Sequence, residues 1–219
     1  MKIGVSVSLL TVFLAGATFC SVPKLTFTKS FPGSTPEFES IDVDRTGVMQ
    51  YKEALHDDQP VKTQLTDADT AALFSMAEKL DFFKSPLESG LKVANTGKKT
   101  LRYEDETGAA NEQTFNYSTN VTAQQLLERF EQIAETERAW IELQRAVKFD
   151  KLGVNDALAT IESLWLRKQL AAPQQFLPLL TRIAARDSFM HLARERAARL
   201  KDQFDAPVQS SPAPESKQR

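Results

Sequence analysis

The chain has one cysteine, Cys20, and two histidines among its 219 residues. A lone cysteine excludes an internal disulfide and a thiolate metal cluster. His56 and His191 lie far apart, and neither falls in an H-E-x-x-H or H-x-H arrangement, so a histidine-bound metal centre has no motif behind it. G-x-S-x-G, the P-loop and the dinucleotide fingerprint are missing as well, which removes the residues that common hydrolases and nucleotide-binding proteins depend on. Neither sign of charge dominates, with 27 Lys and Arg against 29 Asp and Glu. Such a chain has no net field to draw nucleic acid or an acidic membrane. No apolar run reaches the roughly 20 residues that a bilayer-crossing helix needs.

What is present begins with an export pattern. Lys2 precedes an uncharged apolar run from Ile3 to Leu14, followed by the small residues Ala15, Gly16 and Ala17. This is the layout of a cleavable secretory signal over residues 1–17, and it predicts an exported protein, periplasmic or secreted, with no membrane span. Cys20 stands where a bacterial lipoprotein carries its lipid, but the residue before it is Phe19 rather than a small one, which argues against a lipid anchor. With 42% hydrophobic and 26% charged residues, the remainder has the composition of an ordinary globular protein.

The periodicity predicts an α+β fold: a β-rich half of two hairpins plus one packed helix (22–120), then a helical bundle of about four helices (121–204) and a disordered tail (205–219). In the first half Leu25 and Phe27 alternate with polar neighbours. Ile41 and Val43 precede the turn Asp44-Arg45-Thr46-Gly47, whose glycine suits the left-handed position of a bulge. Placing Asp44 opposite Val48 sets Val43 against Met49 and Ile41 against Tyr51, so one face of that hairpin is apolar. Leu101 and Tyr103, with Phe115 and Tyr117, suggest the second hairpin. Between them Thr66 and Asp69 form a capping-box pattern ahead of Leu73, Met76, Ala77 and Leu80, which predicts a helix over 67–81. Phe82 and Phe83 then read as an apolar irregular segment.

From Val121 the period becomes 3.6. Thr122 and Gln125 form a second capping-box pattern, and a long helix is expected to run to about Phe149. Val154, Ala157, Leu158, Ile161, Leu164 and Trp165 trace the stripe of the next helix. Pro173 or Pro178 opens a third, and Asp187 or Ser188 caps a last one with Phe189, Leu192, Ala193, Ala197, Leu200 and Phe204 on its buried side. The tail, rich in Pro, Ser and Gln, has no apolar periodicity.

One constellation has metal-binding spacing. Asp42, Asp44, Thr46, Gly47 and Glu53 fall at positions 1, 3, 5, 6 and 12 of an EF-hand loop, a pattern that supplies a calcium ion with side-chain oxygens from Asp42, Asp44, Thr46 and Glu53. The same Asp and Gly residues are what a hairpin turn requires, and Pro32, Gly33 and Pro36 leave little room for an entering helix. Other candidates have bland readings beside them. His56 with Asp57 and Asp58 reads as a loop, and His191 as a partly buried helix residue. Glu128, Glu131 and Glu135 line one helix face near Arg129 and Arg138, as a solvated charged face does. Arg194, Arg196, Arg199 and Lys201 make the last helix basic, which suits its C-terminal dipole and would also suit an acidic partner. Asn116 and Asn120 satisfy the N-glycosylation pattern.

The segments Ser30-Phe31-Pro32-Gly33-Ser34, Ile41-Asp42-Val43-Asp44 with Gly47 and Tyr51, and Leu87 through Ala94 resemble uncharacterised exported proteins of environmental bacteria. The resemblance implies a bacterial periplasmic setting and brings no activity or site residues with it. The functional expectation is a non-catalytic envelope protein, without cofactor, that binds a protein partner through its helical half. A calcium-binding exported module is the alternative, and an undetected hydrolase a further one.

Overall fold

A computed structural model describes residues 21–205. The expected signal, Cys20 and all but the first residue of the expected tail lie outside the described residues. The fold is α+β, with a six-stranded antiparallel sheet in the N-terminal half and helices in the C-terminal half. The strands are β1 (Lys24–Ser30), β2 (Phe38–Asp44), β3 (Val48–Lys52), β4 (Val61–Gln64), β5 (Lys98–Glu104) and β6 (Ala110–Phe115), and the helix α1 (Asp67–Lys79) lies between β4 and β5. Spatial order is β4-β3-β2-β1-β5-β6, so β1 joins the two expected hairpins into one sheet by pairing with both β2 and β5.

The β2–β3 register is the expected one, with Val43 opposite Met49 and Ile41 opposite Tyr51. Across the whole sheet this alternation builds two apolar rows on one face. Met49, Val43, Leu25 and Tyr103 form one row, and Tyr51, Ile41, Phe27 and Leu101 the next. The opposite face carries Asp42, Thr26, Arg102 and Glu112, the polar pattern of a sheet wet on one side. Gly47 sits in the β2–β3 turn at φ +84°, a conformation L side chains rarely adopt. α1 begins at the expected cap, where Thr66 Oγ1 accepts from the backbone N–H of Asp69 at 3.1 Å. Beyond it, Asp81, Phe82 and Phe83 all have positive φ, which lets Phe83 bury while Phe82 stacks on Tyr103 with ring centroids 4.3 Å apart.

Four helices follow: α2 (Val121–Phe149), α3 (Val154–Leu166), α4 (Leu177–Ala184) and α5 (His191–Asp205). The cap of α2 differs from the expected Thr122 box. Asn120 is the N-cap, its Oδ1 accepting from the N–H groups of Thr122 and Ala123, because a short amide reaches two orphan donors that Thr122, already inside the helix, cannot. At α4, Pro173 starts a short 3-10 turn and Pro178 lies in the first turn of the helix proper.

Two buried clusters fill the molecule, and α2 belongs to both. Ala123, Leu126, Phe130, Ile133 and Ala134 pack on the sheet and α1, with Phe130 stacked on Phe27 at 5.1 Å. Ala139, Leu143, Ala146 and Val147 pack instead with α3, α4 and α5. The change of period near residue 120 therefore marks the start of a helix, whereas the division between the two cores falls inside α2, around Glu135–Arg138.

Candidate functional site

The third inward-facing row of the sheet is charged. Continuing the alternation of Leu25 and Phe27 brings Lys29 inward, and the alternation of Val43 and Ile41 brings Glu39 inward. Register then sets Lys99 beside Lys29 and Lys29 beside Glu39. α2 covers this row with Glu131 and Arg138. Arg138 Nη1 lies 2.9 Å from Glu39 Oε2, while Lys29 Nζ lies 3.2 Å from Glu131 and 3.9 Å from Glu39. Glu39 is 5% exposed and Lys99 7%. A recess of about 270 Å³ opens beside them, lined also by the loop Phe31, Ser34, Thr35 and Pro36.

Burial governs the protonation of this row. Loss of water pushes the Glu39 carboxyl above its ordinary value, and the charges of Arg138 and Lys29 only partly offset that. Burial also pulls the Lys99 ammonium down, with Lys29 adding to the effect. Lys99 remains satisfied because its Nζ donates to the carbonyls of Thr96, Gly97 and Asn116. Tyr51, next to the row, is pushed well up by burial and by Glu53, whose Oε1 accepts from its hydroxyl at 3.1 Å.

A raised carboxyl in a recess has the chemistry of a general acid, yet here its oxygens are held by Arg138 and Lys29. The nearby Ser34 hydroxyl points back into its own loop, toward the Phe31 and Pro36 carbonyls at 2.7 and 2.6 Å. Glu131 shares Lys29 with Glu39, and no histidine is among the residues that line the recess. The arrangement acts as an electrostatic clamp that fixes α2 across the end of the sheet.

The EF-hand-spaced residues lie on a strand and its turn. Asp42 is on the outer face of β2, where its Oδ1 accepts from the Thr26 hydroxyl at 2.6 Å. Asp44 Oδ1 accepts from the Thr46 N–H, the Thr46 hydroxyl and the Val48 N–H, closing the hairpin turn. Glu53 engages Tyr51 instead. Strands flank this segment where an EF-hand has helices, and no three His, Cys, Asp or Glu side chains are grouped as a metal cage among the described residues.

The remaining candidates do not converge. His56 is exposed in the β3–β4 loop, and His191, expected to be partly buried, is 77% exposed with its ring 3.2 Å from Glu195. Of the three α2 carboxylates only Glu131 enters the clamp. The cations of α5 are already partnered: Arg194 with Asp187, Arg196 and Arg199 with Glu162, and Lys201 with Asp202 and Asp205. Asn116 holds the 94–96 loop through both ends of its amide, and Asn120 caps α2.

Sequence reasoning missed a feature of the helical half. α2 packs on α3, α3 on α5 and α5 on α4, which leaves an open groove of about 610 Å³ between α2 and α4. Trp140, Gln144 and Lys148 line one wall, at successive four-residue steps along α2, and Pro178, Leu179 and Arg182 the other. Trp140 is half-buried and meets Phe176 edge-on at 5.4 Å. No family model, curated protein or solved structure matches the chain.

Proposed function

We propose that the chain is an exported, non-catalytic protein-interaction module whose helical half carries the contact surface. The observation behind this reading is the α2–α4 groove, where a half-buried indole, Trp140, and an exposed proline, Pro178, stand over the buried Leu179 at its floor. Phe149 and Leu152, at the turn from α2 to α3, are 74% and 75% exposed, and Met190 and Leu192, at the start of α5, are exposed as well. An apolar side chain left in reach of solvent at a groove is where a partner gains by covering it. Export is supported by the Lys2 to Ala17 pattern.

Position-specific photo-crosslinking tests the reading. A crosslinking residue at Gln144, on the groove wall, is expected to capture a discrete partner in cells of the source, while the same residue at Glu112, exposed on β6, captures none. Capture from Glu112 alone would move the contact surface to the sheet, and capture from neither would end the interaction reading.

A further inference from the structure

The groove has a direction. α4 and α5 run antiparallel, since Phe176 at the start of α4 meets Phe204 at the end of α5 with centroids 6.2 Å apart. α3 and α5 run the same way, because Arg196 bonds Asn155 near the start of α3 while Trp165 at its end lies 4.9 Å from Phe204. α2 turns back into α3 through four residues, Asp150 to Gly153. α2 and α4 are therefore parallel, with Trp140 beside the start of α4 and Lys148 facing Arg182 near the two C-terminal ends. One end of the groove is apolar, made by Trp140, Pro178 and Leu179. The other carries two cations.

Those cations are unlike the ones on α5. Lys148 lies over the Phe149 ring at 4.8 Å, and neither it nor Arg182 makes an ion pair among the described residues. From Trp140 to Lys148 the groove extends about 12 Å, or roughly two helical turns. A partner helix lying along it meets apolar surface first and positive charge one to two turns later.

We infer that this groove receives an acidic amphipathic helix from a partner protein, with apolar side chains against Trp140 and Pro178 and carboxylates at Lys148 and Arg182. The assignment rests on the interaction reading above and adds the chemistry of the occupant. Both cations are exposed, so their attraction for the helix is screened by salt and acts mainly as selection among partners.

Three synthetic helices of about 25 residues, well beyond the length at which isolated helices are marginal, share one leucine face and differ only in a Glu, Gln or Lys polar face. They are titrated against the full chain carrying Trp165→Phe, which keeps an aromatic ring on Phe204 and leaves Trp140 as the sole reporter in the bundle. The Glu helix is expected to bind at least about tenfold more tightly than the Lys helix, with the gap narrowing in high salt. Lys148→Glu with Arg182→Glu should reverse the order, and because both residues are exposed the variant's thermal midpoint should match the parent's. Equal binding of all three helices would overturn the acidic assignment while leaving the groove as an apolar docking site. Binding of none, with crosslinking at Gln144 intact, would overturn the helix as occupant and leave the interaction module standing.

Discussion

The side-chain amide of Gln175 donates to Glu137 Oε1 at 3.1 Å, and Oε2 of the same carboxyl has no hydrogen-bond partner. Glu137 is 1% exposed and sits on α2 between the two cores, next to Thr136, whose hydroxyl accepts from the Ala171 N–H. The 171–175 strap is thus bound to α2 at the point where the sheet half meets the bundle.

Burial without a cation pushes the Glu137 carboxyl from 4.5 up to about 7, the Gln175 hydrogen bond opposing only weakly. Because the folded-state value lies above the unfolded one, the folded chain binds the extra proton between those two values. Stability is then greatest below the unfolded value and falls as pH rises toward the folded one, by an amount on the order of 3 kcal/mol. Glu137→Gln stays neutral throughout. The difference in unfolding free energy between it and the parent is expected to be small near pH 4.5 and to favour the variant by about 2–3 kcal/mol above pH 7. A difference that does not change with pH would show that Glu137 titrates normally.

Arg138 should matter through Glu39. Arg138→Met keeps most of the side-chain stem but leaves a buried carboxyl with only Lys29, 3.9 Å away. Arg138 itself is partly in water, so the expected cost is about 1–2 kcal/mol rather than the 3–5 seen when a fully buried pair is broken. Glu39 protonates more readily in the variant, so the cost should shrink at acid pH. Adding Glu39→Gln should recover part of the loss, and urea unfolding of the four-member cycle measures the coupling.

Phe27→Ala removes one ring of the stacked pair that joins the sheet to α2. Both Phe27 and Phe130 are fully buried, so the expected loss is about 3–5 kcal/mol by denaturant unfolding. A loss below about 1 kcal/mol would mean that the α2–sheet contact is not part of the folded core.

The parts of the fold legible in the sequence are those where neighbouring residues settle the matter. Alternation around Asp44 to Gly47 gives the β2–β3 register because the turn fixes which residues face each other. β4 was not legible, since Val61-Lys62-Thr63-Gln64 has one apolar residue and becomes a strand only by pairing with β3. The clamp was half visible: Lys29 and Glu39 continue the inward parity of Phe27 and Ile41, but charge disguised them as outward. Asn120 and Thr122 are both good caps two residues apart, and the choice between them depends on where α2 docks. The groove was not legible, because Trp140 and Pro178 meet only after α3 and α5 have packed.

The Asp44 loop yields the last prediction. Its carboxylate already receives three hydrogen bonds within the turn, Asp42 and Glu53 are each engaged elsewhere, and strands rather than helices lead in and out. Calcium would have to displace those bonds and redirect both carboxylates. The thermal midpoint is therefore expected to be the same in EDTA and in millimolar calcium, whereas saturation near 100 times the dissociation constant would add about 2.7 kcal/mol. Asp44→Ala should lower stability by about 1 kcal/mol in both buffers, as loss of a turn cap does. Gly47→Ala should cost more, about 2 kcal/mol, since a Cβ there sits 2.8 Å from Thr70 Oγ1 and 3.1 Å from the Leu65 carbonyl in a left-handed conformation. A calcium-dependent rise that disappears in Asp42→Ala with Glu53→Ala would instead make this turn a metal site.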